Sequence, residues 1–177
     1  EKLKFKLFYC NVPKSSLQGS NALKYIEWGE IQGFHEWAKP RTQKYWYGVG
    51  NMTSAPIICP RSMNEIYRVF TNKNGHLANF RLSELRPIIE FEEEIVAVLH
   101  STFTSFMIEL GARTGLGQGL LDMMGYELAA IKIINPELVQ GLKPLNREIG
   151  LLEFEMQQQD RLELDAGIFD ALGLTQD

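Results

Sequence analysis

Apolar residues return every three or four positions between Glu92 and Gly111, and this spacing predicts one long amphipathic helix. Three consecutive glutamates begin it, in the first turn, where the positive end of the helix dipole favours negative charge. Gly111 provides a natural stop, and a glycine-dense loop follows over residues 112–121. A buried helix that leads into such a loop is typical of a scaffold that presents an exposed segment.

The first half of the chain has the pattern of short strands. Residues 2–9 alternate basic and apolar side chains with period two, which predicts a half-buried strand. Residues 55–60 predict a short buried strand between two prolines, and residues 67–70 predict another. Asn74-Gly75 is the strongest hairpin signal. Residues 22–28 are compatible with either a strand or a short helix.

The second half is mainly helical. Residues 145–162 predict a helix with a polar face, and residues 168–172 predict a terminal amphipathic helix. These patterns indicate an α+β fold, in which a mainly antiparallel region of short strands packs on a long central helix and on C-terminal helices. We interpret residues 1–177 as a single domain, with a strand-rich basic part over residues 1–91 and a helical acidic part over residues 92–177.

The charge is divided unevenly along the chain. The net charge is −4, but residues 1–91 carry 13 Lys/Arg against 7 Asp/Glu, whereas residues 92–177 carry 5 against 15. A basic half beside an acidic half indicates one surface that faces a polyanion. The alternative is that the acidic half simply holds more solvated helix faces.

Composition is that of an ordinary soluble domain, with 45% apolar and 23% charged residues among 177. No apolar run approaches the roughly 18 residues of a membrane span, and no signal peptide is recognisable, so we expect no membrane partner. Cys10 and Cys59 are the only cysteines. Together with the missing signal they favour reduced thiols in a cytoplasmic protein, and a single disulfide between them is the alternative. Because the chain begins at Glu1, we expect it to be a piece of a longer protein.

Residues 25–47 are rich in aromatic side chains and contain all three tryptophans of the chain. Lys39, Arg41 and Lys44 lie among them. Aromatic faces with cationic groups between them suit base stacking combined with phosphate contact. The alternative is a β-rich core in which these rings are simply buried, and we favour burial for most of them.

Motifs for an autonomous active site are missing from the sequence. The histidines, His35, His76 and His100, are scattered and match no zinc spacing. There is neither a nucleophile elbow nor a phosphate-binding P-loop. The glycines of residues 115–119 follow a helix, whereas a nucleotide loop follows a strand and opens a helix. We therefore expect no catalysis and no metal site in this chain.

Several stretches, in their order along nearly the whole chain, resemble the C-terminal target-recognition region of N6-adenine DNA methyltransferases of restriction–modification systems. The stretches that carry the resemblance are Tyr25-Ile26, Gly29-Glu30, Gly33-Phe34-His35, Trp46-Tyr47, Ala55-Pro56-Ile57-Ile58, Glu109-Leu110-Gly111-Ala112-Arg113, Gly115-Leu116-Gly117-Gln118-Gly119-Leu120-Leu121, Tyr126-Glu127-Leu128, Asn135-Pro136, Leu164-Asp165 and Ile168-Phe169-Asp170-Ala171-Leu172-Gly173-Leu174-Thr175. The family's Asn-Pro-Pro-Tyr type motif is absent, and Asn135-Pro136-Glu137 does not replace it.

The resemblance implies a domain that reads double-stranded DNA, while a separate catalytic domain of the same chain binds S-adenosylmethionine and transfers its methyl group. No cofactor is then expected in this fragment. Reading bases in the major groove calls for Arg or Lys to guanine and Asn or Gln to adenine. The candidate DNA-binding residues are Arg41, Lys44, Tyr45, Tyr47, Asn51, Arg61, Asn64, Asn72, Lys73 and Arg113. Arg113 either reaches a phosphate or pairs with an acid such as Asp122.

Two other functions remain open from the sequence. The chain is alternatively a protein-interaction or structural domain of a multidomain enzyme, which docks through its Gln/Glu-rich C-terminal part without direct base contacts. The other hypothesis, based on the aromatic segment, is that the chain is an RNA-binding piece of an RNA-modifying enzyme. Salt dependence separates DNA recognition from protein docking, because phosphate contacts release counterions.

Overall fold

A computed structural model describes residues 7–50, 52–115 and 117–174. The chain divides into two compact units, residues 1–53 and residues 54–177. This division lies earlier than the compositional boundary at residue 91, and the interpretation of a single recognition domain stays a prediction. The predicted strand over residues 2–9 lies mostly outside the described residues, and its described part, residues 7–9, has no regular secondary structure.

The described part of the first unit is built around helix α1, Asn21–Ile31. Ser20 caps its start, since its Oγ accepts the Leu23 N–H at 3.1 Å. The sequence left this segment open between strand and helix, and the structure settles it as helix. Short 3₁₀ turns surround α1 over Lys14–Leu17, Phe34–Glu36 and Pro40–Thr42.

The core of the first unit forms under the inward face of α1. Ile26 is buried on this face together with Cys10 and Tyr47. The indole of Trp46 packs against Gly29, and its Nε1 donates to Glu30 at 3.0 Å. A small set of side chains therefore fixes the helix to the segment that follows it.

The second unit contains two small antiparallel sheets among its described residues. In the larger, β1 (Ile57–Pro60) is central, and its neighbours are β3 (Phe70–Thr71) and β4 (Leu82–Leu85). In the smaller, β2 (Ser62–Met63) pairs with β5 (Leu121–Asp122). The predicted buried strand at residues 55–60 is confirmed, because Ile57, Ile58 and Cys59 are all buried. The predicted strand at residues 67–70 reaches the sheet only at Phe70.

The Asn74-Gly75 signal marks a turn but not a hairpin between paired strands. Gly75 N donates to Asn72 O at 3.0 Å, as a tight turn requires. However, β1 lies between β3 and β4, so the strands on the two sides of the turn do not pair. The Asn72 side-chain amide donates to Ala55 O and to His76 O, both at 2.8 Å. These bonds fix the turn in a position from which the chain does not return along β3.

The predicted long helix is two helices, α2 (Glu92–His100) and α3 (Thr102–Gly111). Ser101 separates them with an extended backbone, ψ 154°. Its Oγ accepts the Thr104 N–H at 3.1 Å, and Asp165 accepts the Thr102 N–H at 2.8 Å. These side chains cap a new helix start, which competes with continuation of the first helix.

The remaining helices complete the α+β fold, which is confirmed. They are α4 (Gly125–Ala130), a 3₁₀ turn (Pro136–Val139), α5 (Leu152–Glu155) and α6 (Gln159–Ala171). The predicted helix over residues 145–162 is wrong for its first half. Leu145 N instead donates to Nδ1 of His100 at 3.1 Å, and Gly150 N donates to Glu155 at 2.8 Å. Side chains thus take backbone donors of this stretch, which has no regular secondary structure.

A charged network crosses the helical core of the second unit. Arg161 is 1% exposed and donates to the backbone carbonyl of His100. Arg147 forms two hydrogen bonds with Glu155, at 2.7 and 2.9 Å, and two with Asp160, at 2.7 and 2.8 Å. The Arg147 hydrogen bonds lower the pKa of Asp160. The network ties α5 and α6 to the end of α2 and to the segment that precedes α5.

Candidate nucleic-acid interface

A glycine-rich hairpin, residues 114–120, is named the glycine finger below; its described residues are 114, 115 and 117–120. Two backbone hydrogen bonds close its base, from Arg113 N to Asp122 O at 3.0 Å and from Asp122 N to Arg113 O at 3.1 Å. Its described residues are exposed or half-buried. The glycine finger therefore exposes its backbone to solvent.

Gln118 stands at the turn of the glycine finger. Leu120 N donates to Gly117 O at 3.1 Å, and the two central residues, Gln118 and Gly119, have φ of 53° and 70°. Two positive φ angles define a type I′ hairpin turn, which glycine and asparagine usually occupy. Gln118 is the one non-glycine residue with positive φ among the residues that the structure describes. A long amide thus takes a strained position and is exposed there.

Arg61 and Arg113 meet at the base of the glycine finger, where both pair with one carboxylate. Their Nη2 atoms lie 3.5 and 3.2 Å from Oδ2 of Asp122. Ser62 donates to the other carboxylate oxygen at 2.7 Å, and this bond together with both guanidinium charges lowers the pKa of Asp122. Arg113 also lies 2.9 Å from Glu127. Of the two roles open to Arg113, pairing with an acid is therefore present in the structure.

Arg61 is held more deeply than Arg113. Its side chain is 26% exposed against 49% for Arg113, and it also contacts the sulfur of Met124. Its Nε is buried without a hydrogen-bond partner among the described residues. Arg61 thus acts first as the support of the finger, whereas Arg113 keeps half of its side chain open to solvent.

The other candidates of the second unit differ in orientation. Asn64 is exposed after β2, and Lys73 is exposed in the turn after β3. Asn72 is buried, and its amide is fully engaged by the turn, since its Oδ1 also accepts the His76 N–H at 2.8 Å. An internally bonded amide is not available to a base edge, so we leave Asn72 out of the interface proposed below.

The candidates of the first unit lie on and after its last 3₁₀ turn. Arg41 and Lys44 are exposed, and Nζ of Lys44 lies 5.3 Å from the centre of the Tyr45 ring. Tyr45 stacks on Tyr47 at 5.6 Å with an interplanar angle of 13°. Tyr47 is buried, and its hydroxyl donates to Val12 O at 2.9 Å. Tyr47 therefore positions Tyr45, and we leave it out of the interface as well. Asn51 lies outside the described residues.

The expectation of a β-rich core with buried rings in residues 25–47 is wrong. The described segment is helical, and only Tyr47 among its seven aromatic residues is buried. The rings that are exposed are Tyr25, Trp28 and Trp37. Helical spacing places the first two on the face of α1 opposite to its buried side chains.

Phe80 and Arg81 are surface residues that sequence reasoning did not select. Phe80 is 77% exposed, and the Arg81 guanidinium lies 5.3 Å from its ring centre. Arg81 O accepts the Arg61 N–H at 2.9 Å, so the pair lies beside the support of the glycine finger. The signal in the sequence was a large apolar residue between Asn79 and Arg81, in a stretch without apolar periodicity.

The model of the family described as "Type II methyltransferase M.Eco57I, C-terminal domain" matches residues 1–162. The chain belongs to this family. Comparisons with curated proteins and with solved structures find no match. Membership confirms the resemblance to the C-terminal region of a restriction–modification methyltransferase.

Two further observations concern the described residues of this member of the M.Eco57I C-terminal family. Among residues 7–50, 52–115 and 117–174, no group of three or more His, Cys, Asp or Glu side chains could hold a metal ion. No helix in the same ranges is both long enough and apolar enough to cross a membrane.

Proposed function

We propose that this chain recognises the target sequence in double-stranded DNA for an N6-adenine methyltransferase of a restriction–modification system. The observation that carries the proposal is the family match, which covers 162 of the 177 residues and describes the C-terminal domain of a type II methyltransferase. Such an enzyme needs a surface that selects the adenine to be methylated, and this surface needs no catalytic residues.

The glycine finger is the part of the second unit that we propose to enter a DNA groove. Glycines allow the backbone to approach phosphates and base edges closely. The Gln118 amide can pair with the N6 and N7 edge of adenine, and Arg113 lies at the base of the finger, where a phosphate would pass. In the same unit, Asn64 and Lys73 add exposed polar and cationic side chains. In the first unit, Arg41 and Lys44 are exposed, and Tyr45 adds a half-buried ring beside Lys44.

S-adenosylmethionine is proposed to bind to a separate catalytic domain, not to this chain. The glycine-rich stretch follows helix α3 and projects as a hairpin, whereas glycine loops that hold a nucleotide follow a strand and open a helix. This topology differs from that of a nucleotide-binding glycine loop, and no step of methyl transfer is assigned to this stretch.

The proposal is tested by anisotropy with a labelled DNA duplex at about 50 and 200 mM salt, the range over which phosphate contacts weaken strongly. Lys73→Ala and Lys132→Ala are a matched pair, because both lysines are exposed in the second unit and each change removes one positive charge. We expect Lys73→Ala to weaken binding and to reduce the salt slope by about one, and Lys132→Ala to leave both unchanged. Equal effects of the two changes would contradict the assigned face.

A further inference from the structure

Five aromatic rings of the first unit form a continuous row, named the aromatic ridge below. Successive ring centres are 5.0, 5.5, 5.5 and 4.9 Å apart. In order along the row, the rings are Phe8, Tyr25, Trp28, Phe34 and Trp37. Each ring therefore contacts the next one along the row.

The middle and the end of the aromatic ridge are open to solvent. Tyr25 is 53% exposed, Trp28 46% and Trp37 62%. The ring planes of Tyr25 and Trp28 are inclined by only 21°. Three large rings that are this exposed and lie on one row mark a binding surface, because single exposed apolar residues are ordinary but contiguous ones are not.

The charge around the aromatic ridge favours an anionic partner. Residues 1–53 carry eight Lys/Arg and four Asp/Glu. Lys24 precedes Tyr25, and Lys39 and Arg41 follow Trp37, all exposed. The exposed acids over residues 24–44 are Glu27 and Glu36, so the exposed cations, which also include Lys44, outnumber them by four to two. Flat aromatic faces beside cations are the combination that single-stranded nucleic acids require.

We propose that the aromatic ridge stacks on unpaired DNA bases, while the neighbouring cations contact the phosphates of the same strand. A fully paired duplex hides its base faces, so the ridge and the glycine finger bind different forms of DNA. If the chain has the function proposed above, the methylation reaction itself supplies unpaired bases. Methylation at adenine N6 requires the adenine to leave the stack, which leaves its partner base unpaired.

The test titrates the full chain with a dT oligomer of about 12 nucleotides, a length in the range that stacking domains cover. Binding is followed by tryptophan emission and by anisotropy at low salt. We expect the oligomer to quench the emission, because Trp28 and Trp37 are the exposed tryptophans. Trp37→Leu should weaken binding about tenfold, whereas Trp37→Phe should keep most of it, since only phenylalanine preserves a stacking face.

The two variants separate stacking from other roles of the ridge. Leucine keeps the apolar surface, so equal affinities of Trp37→Leu and Trp37→Phe would overturn the inference and leave the ridge as an apolar docking surface for a protein. Circular dichroism checks that both variants are folded. Absence of dT binding, at a salt concentration where the duplex binds, would also overturn it.

The inference and the proposed function fail in different ways. If the duplex binds and dT does not, target recognition stands, and binding of unpaired bases by the aromatic ridge is contradicted. If dT binds, Trp37→Leu weakens this binding and the duplex does not bind, the role of the aromatic ridge is supported and recognition of duplex DNA is contradicted. A failure of both DNA forms to bind overturns both proposals.

Discussion

The indole of Trp46 covers Gly29 so closely that a Cβ atom at residue 29 would lie 2.5 Å from Cη2 of Trp46. Trp46 is fixed from its other end, because Nε1 donates to Glu30, which also pairs with Lys14. The ring therefore cannot move away without losing these bonds. The position of Trp46 on α1 organises the segment that carries Arg41 and Lys44.

Gly29→Ala is expected to destabilise the first unit by about 1–3 kcal/mol, because the added methyl overlaps the indole. In a helix whose glycine faced open space, the same change would stabilise by up to about 1 kcal/mol. The sign of the change in the free energy of unfolding therefore shows whether the indole of Trp46 covers Gly29. Thermal unfolding followed by tryptophan emission measures it, because all three tryptophans lie in the first unit. Glu27→Ala is the control on the exposed face of α1. A stabilised Gly29→Ala variant would contradict the packing.

His100 makes stability depend on pH. Its Nδ1 accepts the Leu145 N–H and its Nε2 lies 3.0 Å from Val69 O, which describes a neutral ring that donates from Nε2. Burial lowers the pKa of His100 below its ordinary 6.5. The unfolded chain therefore binds a proton first, and stability that is complete above pH 6.5 falls as the pH drops towards the folded pKa.

Urea unfolding between pH 7.5 and pH 5 measures this effect, since the ordinary carboxylate pKa values lie near 4. We expect the wild-type midpoint to fall across this range and His100→Asn to show a flatter profile from a lower starting stability. Parallel profiles for the two proteins would show that another group titrates there.

Arg161→Met is expected to destabilise the second unit by about 2 kcal/mol, because it removes a charged donor from the buried His100 carbonyl. Met preserves much of the volume, so lost packing contributes little. Glu155 lies 3.7 Å from Arg161 but keeps its two bonds from Arg147, which limits the loss. Lys132→Met, at an exposed position, is the control for denaturant unfolding. Equal stabilities of the two variants would contradict the role of Arg161.

Gln118 separates stability from recognition. Gln118→Gly should stabilise the finger or leave it unchanged, because φ of 53° strains a residue with a Cβ, yet it should weaken binding to the duplex. Gln118→Ala keeps the strain and loses the amide, so it should lose binding without gaining stability. Anisotropy and thermal unfolding of the three proteins decide the point. Unchanged affinity in both variants would exclude a base contact by Gln118.

Much of the fold follows from the local sequence pattern, and the predictions that were wrong depend mainly on contacts between residues far apart in the chain. The buried strand at Ile57–Pro60 was predictable from its apolar run, and so were the two ends of the α2–α3 segment. The break at Ser101 was not, because it depends on Asp165, which caps α3 from a distant part of the chain. Residues 145–151 were mistaken for helix because His100 and Glu155 take their backbone donors.

The sequence predicted which residue types occur in the candidate interface better than it predicted which of their side chains point to solvent. Exposed Arg41, Lys44 and Lys73 follow from charge patterning. The sequence does not reveal that Asn72 turns inward, since its partners Ala55 and His76 are identified only by the folded turn. Gln118 was overlooked because a glutamine among glycines has no periodicity. Its importance comes from the backbone conformation.

The most direct test of target recognition exchanges this chain between methyltransferases. A family member that methylates another sequence receives this chain in place of its own C-terminal domain, and methylated adenines are mapped along genomic DNA by sequencing. We expect the hybrid to methylate the sequence that belongs to the parent of this chain. A hybrid that is active but keeps the specificity of its catalytic domain would contradict recognition of the target by this chain.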